Sequence, residues 1–258
     1  MIDDIQKIIA EEFVKRKVTP FSTRLNPGDM ANWADKLSTK HSLDKERFNL
    51  HVRELFWAIA SIQLSLGYTF LSFREITFPA GAKGIALKDN EIPDMGHIAD
   101  FHYWFHVCNT WESIYRLWER VVTVLEIRLT PKLKDNLYFD GYINLLKKNM
   151  LLDEQQIIKL EKFYKPWGTI SKKRNDISHG KNNPFLELSI EVNFSQIIDL
   201  KGKNVAKYNN QYPNRKQEVN MLIDYFNRSY SLLELARELC NSHIKPNYGV
   251  VRSEPHTP

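Results

Sequence analysis

The stretch IADFHYWFHVCNTWESIYRLWERVVTVLEIRL, residues 98–129, decides the fold. Trp104, Trp111, Tyr115, Trp118, Val122 and Leu125 recur in it at intervals of three, four and seven, the repeat of one face of an α-helix. Indole rings seven residues apart on such a face predict core packing rather than a platform for stacking bases. Pro131 ends the pattern, because proline cannot donate the next helical hydrogen bond.

The flanking sequence reads as further helices packed on this one. Ile5, Ile8, Ile9 and Phe13 predict a helix over about residues 4–17, and Phe48, Leu55, Ile59 and Ile62 predict another over 44–66. From Tyr68 to Asn90 the period loosens into Thr, Phe and Ile, and PAGAKG at 79–84 suggests the turn of a small β-hairpin. Shorter helices are expected at about 136–149 and 153–165, the second capped by Asp153. A helix over about Thr169 to His179 follows, stopped by Gly180. Leu188, Ile190, Val192 and Phe194 then alternate with polar residues, which predicts a strand at 186–194. A last helix spans about Arg215 to His243. The expectation is a mainly α, multi-helix bundle with a small β-hairpin or strand element. Residues 1–95 form a mostly helical part packing on the core, 96–243 form the bundle with a strand-containing insertion at 184–213, and 244–258 form a loose tail.

Composition narrows the function classes. The 258 residues are 43% hydrophobic and 12% aromatic, enough for a packed core. No apolar run approaches the roughly eighteen residues of a membrane span, so no membrane partner is expected. Only Cys108 and Cys240 are present, which excludes a disulfide framework and a CxxC zinc site and points to a reducing cytoplasm. MIDDIQKIIAEEF opens with acids where an export signal needs bases. Between Lys132 and Asn183 eleven Lys and Arg face six acids, an excess equal to the whole net charge of +5. A basic segment favours a polyanion such as RNA, although a solvated lysine-rich helical surface has the same composition.

Within that segment stands RNDISH, residues 174–179, flanked by Lys172, Lys173 and Lys181. Arg174 is followed directly by Asn175, and His179 directly by Gly180. Arg237 and His243 have a comparable separation, but Glu238 beside that Arg opposes a phosphate. The first combination, in its helical setting, resembles the signature of the HEPN superfamily. These are helical-bundle proteins in which an Arg and a His a few residues apart form a metal-independent ribonuclease site.

The resemblance implies Arg174, Asn175 and His179 as catalytic residues, with Lys172, Lys173 and Lys181 binding RNA and no metal or cofactor. The residue types suit the chemistry. Cleavage without a metal needs one group to take the 2′-hydroxyl proton, one to protonate the leaving 5′-oxygen, and cations for the charge gathering on phosphorus. Histidine's ordinary pKa of about 6.5 suits the proton steps. Arginine offers a permanently charged fork, and Asn175 can hold a phosphate oxygen or orient the imidazole. Asn175 and His179 share a helix face, while Arg174 and His179 lie about 140° apart around the axis. The family answers this by pairing two motifs across a two-fold axis, so the resemblance further implies a homodimer and a 2′,3′-cyclic phosphate product. It also implies a toxin or phage-defence setting and an antitoxin-like protein partner. The alternative is a non-catalytic helical module that binds RNA or a protein through the basic surface, with His179 merely complementing the helix dipole.

Other constellations are weaker. His102 and His106 have the i, i+4 spacing of a zinc pair, but aromatic neighbours and the lack of an HExxH glutamate favour histidines near the core. Gly81 to Gly84 is too short for a phosphate-binding loop, and neither a nucleophile elbow nor a dinucleotide fingerprint occurs.

Overall fold

The computed structural model describes residues 2–24, 42–75, 96–130, 138–179 and 215–242. They form helices α1 (Ile2–Lys15), α2 (Phe21–Arg24), α3 (Ser42–Glu75), α4 (Gly96–Leu129), α5 (Phe139–Lys148), α6 (Glu154–Glu161), α7 (Tyr164–Ser178) and α8 (Arg215–Ser242). The described part is a helical bundle. The expected strand at 186–194, the hairpin turn, the insertion 184–213 and the tail lie outside the described residues.

The long helices α3 and α4, each about 50 Å by the helical rise, run antiparallel. Glu54 pairs with Arg120, whereas Tyr68 stacks on His106 at 5.0 Å and the Thr69 and Thr110 hydroxyls meet at 3.1 Å. α8 lies parallel to α4: the Trp111 indole N–H donates to Glu218 at 2.7 Å and that of Trp118 donates to Ser229 Oγ at 2.8 Å. Trp104, Trp111 and Trp118 are all buried, as their spacing requires. Aromatic payload on one stripe thus becomes the centre of the core, and its two polar handles set the register of α8. α1 packs on α3, and Phe13 meets both Phe70 and Phe226 edge to face. Gly67 makes that approach possible, since a Cβ there would stand 2.5 Å from Ile9.

Three expectations are corrected. Residues 68–75, read as the start of a hairpin, continue α3 to Glu75. Thr69, Phe70 and Ser72 are buried there, and Thr69 Oγ1 donates to the Ser65 carbonyl at 2.9 Å. Packing overrides the strand propensity of these residues. The helix expected at 153–165 ends at Glu161, and the one expected from Thr169 begins at Tyr164. Pro166 falls in the first turn of α7, where a backbone N–H has no helical partner to lose. Asp153 does cap α6, its side chain accepting from the Gln156 N–H while Gln156 reaches back to the Asp153 N–H. Finally, Asn49–Arg74 has the length and apolar composition of a membrane-crossing helix after all. Half of that stretch is buried inside the bundle, as befits a core helix.

Candidate functional site

Helix α7 carries the RNDISH motif, and its rotation is fixed by one buried face. Pro166, Trp167 and Ile170 point inward. The Trp167 ring stacks on Tyr115 at 5.2 Å and lies parallel to Trp118 at 6.2 Å, both on α4. At about 100° per residue, this leaves Lys173 and Arg174 on the two flanks of the buried face and turns Asn175 and His179 outward. Asn175 and His179 are exposed.

Arg174 is held from several sides. Its guanidinium lies over the Tyr115 ring at 5.2 Å, and its Nε stands 3.6 Å from Glu112 Oε2. The other oxygen of Glu112 pairs with Arg116 at 3.1 Å, so one carboxylate is shared by two guanidinium groups. The Arg174 Nη1 donates to Asn175 Oδ1 at 3.3 Å. Arg174 Nε itself is buried without a hydrogen bond, which marks the Glu112 contact as electrostatic. Burial first, and a hydrogen bond to Glu119 next, push the Tyr115 phenol above its ordinary range, while Arg174 pulls the other way. Tyr115 is therefore a neutral platform and not a base.

The structure thus brings Arg174 and Asn175 together. His179 closes the helix, its backbone N–H donating to the Asn175 carbonyl at 2.9 Å. Among the described residues no hydrogen bond or ion pair joins its imidazole to Arg174. One chain presents the guanidinium and the imidazole on different sides of α7.

The three lysines fare differently. Lys173, expected to bind RNA, is instead bound to Glu218 on α8, with Nζ 3.0 Å from both carboxylate oxygens. Glu218 is buried, and a buried carboxylate needs that cation more than a solvated phosphate does. Lys172 is exposed. Lys181, like the expected Gly180 stop, lies outside the described residues. Glu112, Tyr115 and Glu218 were missed in the sequence because their partners lie far along the chain. The only local trace was the i, i+4 pairing of Glu112 with Arg116.

Among the described residues, other reactive groups offer no competing site. Burial, aided by Glu218 and opposed by Lys173, pushes the Cys108 thiol up to about 11, so it is no thiolate nucleophile near neutrality. His106, stacked on Tyr68 and edge-on to His102, is shifted down by burial and then by His102. Among the described residues no group of three or more His, Cys, Asp or Glu is placed to hold a metal ion. Arg237 pairs with Glu234, and His243 lies outside the described residues. No protein-family model matches the chain, and no curated protein or solved structure shows significant similarity to it.

Proposed function

We propose that the protein is a metal-independent endoribonuclease of HEPN type, with Arg174, Asn175 and His179 of two copies lining one composite site. The observation that carries this reading is the placement of all three on α7, with Arg174 hydrogen-bonded to Asn175 and His179 exposed at the helix end. Glu112 and Tyr115 hold Arg174 by its Nε edge and its face. The outer edge of the fork remains for a phosphate oxygen, a bidentate geometry lysine does not offer.

In the proposed reaction the 2′-oxygen of one nucleotide attacks its own 3′-phosphorus. One imidazole takes the 2′-hydroxyl proton as the bond forms. The bond from phosphorus to the 5′-oxygen breaks, and that oxygen takes a proton from the second imidazole. The products are a 2′,3′-cyclic phosphate and a 5′-hydroxyl, with Arg174 and Asn175 stabilising the charge on the equatorial oxygens. A homodimer acting in the cytoplasm, as a toxin or phage-defence effector restrained by an antitoxin-like protein, is the setting that goes with this chemistry. The contacts of Arg174 with Glu112 and Tyr115 favour a second reading, a non-catalytic module that binds RNA through α7.

RNA incubated with the protein in excess EDTA separates the two. The expected result is fragments ending in 2′,3′-cyclic phosphate, formed by a dimer. Intact RNA, 3′-hydroxyl ends or a strictly monomeric active species would overturn the composite nuclease.

A further inference from the structure

We propose that the outer face of α7 is a track for the backbone of single-stranded RNA, leading from the cleavage site at His179 towards Lys165; the proposal rests on the nuclease reading and names the class and path of its substrate. Lys165, Gly168, Lys172, Asn175 and His179 are all exposed. With about 100° per residue they fall within one arc of about 80°, opposite the buried Pro166, Trp167 and Ile170. Lys165, Lys172 and His179 are seven residues apart, so they stand in a row with about 10 Å of rise between neighbours.

The row is open. Nothing lies within 4 Å of the place a Gly168 Cβ would take, so a chain crossing the middle of the helix can approach the backbone. Its charge is also available. Lys147, Lys159 and Lys173 are each paired with a glutamate, whereas among the described residues Lys165 and Lys172 form no ion pair. The acid on the helix, Asp176, is half-buried and borders the row on the Thr169 side, four residues and about 40° from Lys172.

A single line of cations on a convex helix matches one strand and offers nothing to the second strand of a duplex. Cleavage demands the same ligand, since the attacking 2′-oxygen must swing into line with the leaving oxygen, which helical pairing resists. No aromatic side chain is in the row, so no base is stacked there and the track reads charge rather than sequence.

The test is the salt dependence of binding of a fluorescein-labelled, 2′-O-methylated single strand, which lacks the nucleophile and is bound without being cleaved. Wild type, Lys165→Gln, Lys172→Gln and the double variant are compared by fluorescence anisotropy in EDTA, with circular dichroism confirming the fold. Each substitution should make the plot of log affinity against log salt shallower by about 0.7, and the double variant by about 1.4. An unchanged slope in the double variant, no binding by wild type, or equal competition by a duplex of the same length overturns the track. Cleavage of unmodified RNA by wild type is scored in parallel. Cleavage with an unchanged slope defeats the track alone, and a shallower slope without cleavage defeats the nuclease while leaving the track as a binding surface.

Discussion

Replacing His179 by alanine is expected to lower RNA cleavage in EDTA by about 10²–10⁴-fold, the usual contribution of a positioned acid or base, with thermal stability unchanged. The loss of rate follows from the proposed proton transfers, for which the neighbouring Asn175 amide offers no acid or base. The unchanged stability follows from the structure. The imidazole is exposed, and the hydrogen bond that closes the helix comes from the His179 backbone, so the substitution removes little beyond the ring and costs within about 0.5 kcal/mol. Arg174→Ala should instead lower both rate and stability, because it also strips the cover from Tyr115 and leaves Glu112 with one guanidinium. Cleavage rates and unfolding midpoints measured on the same preparations check this. A His179→Ala protein that cleaves within twofold of wild type would contradict the assignment.

Replacing Glu218 by alanine is expected to destabilise the fold by about 3 kcal/mol, the lower end of the range for breaking a buried ion pair. The carboxylate is 4% exposed and joins three helices. One oxygen accepts from the Trp111 indole on α4 at 2.7 Å, and both meet the Lys173 ammonium on α7 at 3.0 Å. Its removal leaves a buried indole N–H without an acceptor, itself a cost of about 1–3 kcal/mol. The Lys173 side chain retains a third of its exposure and can turn to water, which is why the lower end applies. For a chain of this size the loss corresponds to a drop of about 6–12 °C in Tm. Glu218→Gln keeps an acceptor for Trp111 and should fall between alanine and wild type. Thermal and urea unfolding of both variants supply the measurement, and a loss below about 1 kcal/mol for alanine would contradict the clamp. Because Lys173 precedes Arg174, the clamp also fixes the segment that carries the proposed chemistry.

What was legible in the sequence was what a local period or cap encodes. The tryptophan spacing of α4 placed its buried face correctly, and Asp153 marked the start of α6. The continuation of α3 through Thr69 and Phe70 was not legible, since the contacts that favour helix there come from α1 and from Thr110 on α4. Of the site, the grouping of Arg174, Asn175 and His179 on one helix could be read directly. The fate of Lys173 could not, because its partner lies 45 residues away on the last helix. Charge in a basic segment says how many cations are present, and only the fold says which of them are already spoken for. Lys173 is committed to Glu218, whereas Lys165, which no motif singled out, stands in the open row.

The composite site is the centre of this account, and mixing active with inactive protein tests it most directly. Wild type and His179→Ala, co-expressed in equal amounts, form mixed dimers whose one composite site holds a single imidazole and lacks the second. With random pairing about a quarter of the dimers carry both imidazoles, so RNA cleavage in EDTA should fall to about a quarter of the rate given by the same total amount of wild type. A rate of about half, as complete sites within single chains would give, would contradict the account.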